Sequence, residues 1–143
     1  KKSLLPDTGR NMWLYDGGLR LKVFSGDERL RFVFDTGNVR ADMFYPYYQK
    51  HKEWIDKEGV KETISGGGFG GVRTFEVLRL PSIPMRLGDT SFQLKNIQVE
   101  CNASDAESYQ NGEDGSLGMD FINLFRRITI NFDSMYLDVE KDN

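Results

Sequence analysis

The 143 residues, 38% hydrophobic and 29% charged with a net charge of -3, supply enough apolar material for one globular domain and too little length for two. The acidic balance argues against a nucleic-acid-binding surface, and the basic residues Arg20, Lys22, Arg29, Arg31, Arg126 and Arg127 alternate with apolar ones, as on solvated strand faces. No apolar run nears the roughly 18 residues of a membrane span, and no signal peptide is present in the given chain.

Leu5-Pro6-Asp7-Thr8-Gly9 holds a first Asp-Thr-Gly, but proline precedes it and no apolar strand feeds it, so a surface turn is expected. It also spells the Leu-Pro-any-Thr-Gly sorting signal. That signal belongs ahead of a C-terminal apolar tail, whereas most of the chain follows it here. Residues 1–18 are read as an N-terminal extension and 19–143 as the folded lobe. The start without methionine is consistent with a piece of a longer precursor.

From Leu19 the pattern has period two: Leu19, Leu21 and Val23 share one face, Arg20 and Lys22 the other. Ser25-Gly26-Asp27-Glu28 turns, and Leu30, Phe32 and Phe34 alternate again, which predicts a hairpin whose second strand ends in Asp35-Thr36-Gly37. A strand ending in this way lifts a carboxylate off a rigid sheet at a tight turn. Glycine permits the bend, and the threonine hydroxyl can hold neighbouring backbone.

A polar stretch then leads to Met43-Phe44-Tyr45. Pro46 to Glu58 predicts the one substantial helix, with proline in its first turn and Gly59 as a stop. His51, the only histidine, is expected on or near its solvated side.

Gly66-Gly67-Gly68-Phe69-Gly70-Gly71 is the most unusual composition in the chain. A phosphate-binding loop would need a lysine or a helix start beside it, yet Val72 onward continues as a strand. The run fits a flexible hairpin tip, either a flap with an apolar end or a loop without a role. Val72 to Leu80 predicts a strand that Pro81 to Pro84 breaks. Phe92 and Leu94 share one face and Ile97 and Val99 the opposite parity, which predicts a bulge near Lys95-Asn96. Cys101 is the only cysteine, so no intrachain disulfide or cysteine zinc cluster is possible, and it reads as structural. After a polar stretch with turn signals at Asn111-Gly112 and Asp114-Gly115 comes Ser116-Leu117-Gly118-Met119-Asp120-Phe121-Ile122, leading into a short helix. Ile128, Ile130 and Phe132 then alternate as a strand, and Asp133-Ser134 turns into Tyr136 to Val139.

Phe34-Asp35-Thr36-Gly37, the glycine-rich loop around Phe69, and Leu117-Gly118-Met119-Asp120-Phe121-Ile122 about eighty residues after the turn together resemble one lobe of the retropepsin-like (retroviral-type) aspartic peptidases, in the single-lobe form of bacterial aspartyl proteases. The similarity runs roughly from Leu19 to Val139. It implies a mostly β fold, a single-lobe acid-protease-like closed barrel or sandwich with one or two helices, in which the Gly118 segment threads behind the catalytic turn. It implies a peptide- or protein-hydrolysing site with Asp35, Thr36 and Gly37 catalytic, Asn38, Gly67, Gly68, Phe69 and Gly70 against substrate, and no cofactor or metal.

The family's chemistry needs two carboxylates sharing one proton. The ionised one activates water, and the protonated one polarises the scissile carbonyl. This chain offers one such aspartate, so a homodimer or a second lobe must supply the other. No nucleic acid is expected as a partner, and exported members of the family suggest an extracytoplasmic location. Two departures stand out: Asn38, where the family has serine, alanine or threonine, and Ser116 as the first of the apolar pair before Gly118. They keep open a catalytically inactive peptide- or protein-binding module of the same fold, and a β scaffold with no groove function.

Overall fold

The alternation from Leu19 to Phe34 sets the first layer. In the computed structural model, which describes residues 9–68, 70–102 and 112–142, strands Met12–Tyr15 (β1), Gly18–Ser25 (β2) and Glu28–Phe34 (β3) form an antiparallel meander. Leu21, Val23, Leu30 and Phe32 lose all solvent exposure, each contributing about 1.5–3 kcal/mol by burial. Gly26 supplies the left-handed residue of the β2–β3 turn, with φ of 59°. Strand pairing begins at Met12, inside the stretch read as an extension, and Met12 is buried in the core. Asn11 ties this end to the far terminus: its side chain donates to Leu137 O at 2.8 Å and accepts from Leu137 N–H at 2.7 Å.

Beyond the meander come Asp42–Met43 (β4), the helix Tyr45–Glu58 (α1), Val60–Gly68 (β5), Gly71–Leu87 (β6), Thr90–Glu100 (β7), Gly115–Leu117 (β8), the short helix Met119–Ile122 (α2), Arg127–Asn131 (β9) and Tyr136–Glu140 (β10). Eight strands pair in the order β1-β2-β3-β8-β4-β7-β6-β5, and β2 also meets β6 at Phe24 and Arg86, which closes the sheet on itself. β9 and β10 form a separate hairpin. The fold is mostly β with two helices, as expected. Among the described residues, no helix is long and apolar enough to cross a membrane.

Helix α1 carries Pro46 in its first turn, where a missing N–H costs nothing, and buries Tyr47, Tyr48 and Ile55. Its last turn closes through Gly59 N–H to Ile55 O at 2.8 Å. His51 lies half-buried on this helix, 2.7 Å from the Glu28 carboxylate.

Three expectations are corrected. Pro81 to Pro84 does not break the strand but lies inside β6. Pairing with β5 stops at Arg79, so this part of β6 keeps its long ladder with β7 on one side only, and a strand with a free side can hold proline. Nor is there a one-strand bulge at Lys95-Asn96. Leu80 pairs with Ile97 and Ser82 with Lys95, which leaves one residue on each strand, Pro81 and Asn96, and the parity changes on both strands together. Asn96 takes the strain with φ of 53°. Finally, Arg20 is not on a solvated face: it is buried and paired with buried Glu113 at 2.9 Å.

Candidate active site

Asp35 leaves the sheet at the end of β3, and the neighbouring strand fixes where. β8 runs parallel to β3, with Phe32, Val33 and Phe34 beside Gly115, Ser116 and Leu117. One further bond, Asp35 N–H to Leu117 O at 2.9 Å, extends this pairing to the aspartate itself. On its other edge β8 pairs antiparallel with β4, through Asp42–Ser116 and Met43–Gly115. The segment before Gly118 therefore threads between the two ends of the 35–42 loop. Such close threading needs glycine. A Cβ on Gly115 would overlap the Asp42 carbonyl oxygen, and one on Gly118 would overlap that of Asn38.

The start of α2 then clamps the loop from behind. Met119 N–H donates to Asn38 O at 2.8 Å and Asp120 N–H to Val39 O at 3.1 Å. The Asp120 carboxylate accepts Ala41 N–H at 2.9 Å from both oxygens and Phe121 N–H at 2.8 Å from one. Phe121 anchors the clamp in the core, its ring edge-on to Phe34 at 6.3 Å and packed against Phe92 and Phe125 at 5.3 and 5.1 Å.

Within the loop, Asp35, Thr36 and Gly37 are exposed. Asp35 Oδ1 accepts Gly37 N–H at 3.0 Å, and Asn38 N–H returns to Asp35 O at 3.2 Å, which closes the turn. Asn38 uses its side chain inside the loop. Its Nδ2 donates to Asp42 Oδ2 at 3.2 Å and its Oδ1 accepts Arg40 N–H at 3.4 Å. Burial pushes the Asp42 carboxyl above the ordinary carboxylate range. The Asn38 hydrogen bond opposes that rise, the Asp120 charge adds to it, Arg79 opposes it, and Asp35 adds a little more.

Sequence reasoning assigned no role to Asp42 or Asp120. Asp120 had a signal, an acidic residue in the first turn of the helix that follows Gly118. Asp42 had none, because its importance comes from lying opposite Ser116.

Gly67 and Gly68 pair with Val72 and Gly71 at the end of the β5–β6 hairpin, so this tip's backbone pairings stay within its own hairpin. Gly70 is exposed at the turn, Gly71 takes φ of 99°, and Phe69 lies outside the described residues. In the closed sheet β7 stands between β4, at the far end of the Asp35 loop, and β6 of the hairpin, and β2 stands between β3 and β6 on the other side. Among the described residues, no group of three or more His, Cys, Asp or Glu is placed to hold a metal. Cys101 is half-buried with Sγ 3.4 Å from Glu76 O, and burial pushes its thiol pKa up, away from a reactive thiolate.

Two solved structures are similar over most of the chain. A retropepsin-like aspartic protease from Rickettsia conorii matches with a TM-score of 0.58 and 17% identity, over 86% of this chain and 83% of its own. The retroviral protease-like domain of Ddi1 from Leishmania major matches with a TM-score of 0.56 and 16% identity, over 88% of this chain and 90% of its own. No protein-family model and no curated protein matches the sequence. At these identities the likeness is one of fold, a single retropepsin-like lobe.

Proposed function

We propose that this chain is one lobe of an aspartic endopeptidase, and that Asp35 is its half of a carboxylate pair completed by a second copy or a second lobe. The observation that carries this reading is the presentation of Asp35. Its carboxylate stands exposed at a strand end, on a loop clamped by Leu117, Met119 and Asp120, in a fold shared with a retropepsin-like protease. A rigid scaffold behind an exposed carboxylate is what a shared-proton pair requires, since two like charges must be held together at fixed separation. Thr36 and Gly37 shape the turn in this reading. The tip from Gly67 to Gly70, Phe69 included, closes over an extended peptide.

Asp35→Asn tests it. Cleavage of peptide substrates at mildly acid pH is lost while the melting temperature and circular dichroism stay unchanged; undiminished turnover by the variant would overturn the assignment.

One observation favours a second reading, a peptide-binding module without turnover. Asn38, in place of a small residue, is committed to Asp42. A transition-state analogue of the pepstatin type separates the two: a working pair binds it at mildly acid pH and loses it in Asp35→Asn, whereas a module binds peptides and ignores it.

A further inference from the structure

Beyond the Asp35 loop, a feature without a role lies beside the β1–β3 meander. A cavity of about 410 Å³ is lined by Arg10, Lys22, Arg29 and Arg31, with Met12 and Trp13 among its apolar wall residues. No acidic side chain lines it among the described residues. It adjoins a second cavity of about 610 Å³ that shares Arg29 and Arg31 and adds Lys50 and Asp114. Asp114 is already engaged there, with one oxygen 2.7 Å from the Lys50 ammonium and the other accepting Arg31 N–H at 2.9 Å.

The sequence suggested solvated strand faces for Lys22, Arg29 and Arg31; the fold gathers them around one opening. Lys22 and Arg31 are direct cross-strand partners, which puts both side chains on one face of the β2–β3 ladder. Arg29 follows on the same strand without an ion pair among the described residues. The chain carries more acidic than basic residues, 22 against 19, so this local excess of cations is not a reflection of composition. The Arg31 guanidinium lies 5.6 Å over the Trp13 ring, which restricts its orientation. Guanidinium groups match oxyanions with paired N–H donors, and the cavity volume falls in the small-ligand range. Phosphate chemistry fits better than an acidic peptide, because it concentrates two or more charges at one centre, whereas peptide carboxylates sit further apart along the chain.

We propose that this cavity is an anion site for a ligand bearing a phosphate or diphosphate group, held by Lys22, Arg29 and Arg31 with Arg10 at its margin. The test is titration with inorganic pyrophosphate at moderate salt, followed by calorimetry and by fluorescence in a Trp54→Phe background, which leaves Trp13 as the reporter. Expected is saturable one-to-one binding that changes Trp13 emission and raises the melting temperature. Affinity falls about tenfold or more in Lys22→Gln/Arg29→Gln, for loss of two charge-assisted contacts, and stays unchanged in Arg126→Gln/Arg127→Gln. Absence of saturable binding to the folded native protein, or equal binding by the Lys22/Arg29 variant, overturns the site. Tighter binding of a short oligoglutamate than of pyrophosphate overturns the ligand class. Comparing pyrophosphate with a nucleoside diphosphate then tells a free phosphate from an organic one. None of these readouts depends on peptide cleavage.

Discussion

The side-chain amide of Asn38 is bonded to the carboxylate of Asp42 at 3.2 Å, so the residue after Asp35-Thr36-Gly37 braces the far end of its own loop. Asp42 is the strained partner. Burial raises its pKa above 3.8, which means that the ionised form costs the folded state stability at neutral pH. That cost disappears as pH falls through the raised pKa, and is gone below the unfolded value. Asp42→Asn is therefore expected to melt at a higher temperature than the native protein at neutral pH, with the gap closing at about pH 3. Asn38→Ala shifts the balance the other way: it removes a bond that favours the charged carboxylate, and lowers the melting temperature at neutral pH more than in acid. Melting curves across that range, taken on both variants, check the sign.

Gly118→Ala bears on the threading itself. Its Cβ would meet the Asn38 carbonyl oxygen and the Arg40 backbone, groups that cannot swing away as a side-chain tip can. The loop has to move, at about 1–3 kcal/mol for overpacking. A lower urea midpoint with an unchanged slope is expected, together with loss of any peptide cleavage, because Asn38 and Asp35 share a turn. Gly26→Ala is the control, with open space around the Cβ and only the left-handed φ to oppose it.

How far the sequence could be read follows from the range of the interactions. The β2–β3 hairpin, α1 and the β9–β10 pair rest on local periodicity and turn residues, and all three lie where the pattern put them. Asp35 and the Leu117–Ile122 segment were legible as motifs. Asp42 and Glu113 were not, and the role of Asp120 within its motif was not, since each matters through a partner far along the chain: Ser116, Arg20 and Ala41. The Pro81–Pro84 error has the same origin. Proline removes a donor wherever it stands, but only the sheet order shows that β5 has ended by then. The clustering of Lys22, Arg29 and Arg31 was likewise invisible, because alternation with apolar residues describes a face and not what converges on it.

Removing the Asp120 carboxylate strands one backbone donor, Ala41 N–H, and Ala41 is buried, whereas Phe121 N–H keeps its bond to Gly118 O at 3.1 Å. Asp120→Ala is expected to cost about 1–3 kcal/mol for the unsatisfied Ala41 donor. Asp120→Asn keeps one acceptor oxygen but turns an amide donor toward the same Ala41 N–H that both oxygens accept, so it falls between alanine and the native protein. Hydrogen exchange locates the effect: the Ala41 amide loses protection in Asp120→Ala while the amides of β6 and β7 keep theirs. Uniform loss across the sheet would assign Asp120 to global stability instead of to the loop.

The Arg20–Glu113 pair extends the same reasoning to residues that touch neither Asp35 nor the hairpin tip. Both side chains are almost fully buried, 9% and 4% exposed, and Glu113 precedes Asp114, whose N–H donates to Arg31 O and whose carbonyl accepts Phe44 N–H at 2.8 Å each. The pair thus sets how the chain enters β8 and reaches Leu117 beside Asp35. Arg20→Met or Glu113→Leu alone leaves a buried group without its countercharge, at about 3–5 kcal/mol, whereas Arg20→Met/Glu113→Leu together replaces the pair with apolar volume and recovers most of that loss. A double-mutant cycle from denaturant unfolding measures the coupling. If peptide cleavage recovers with stability in the double variant, the pair acts by holding the strand; if cleavage stays low in a stable protein, the charge itself reaches the site.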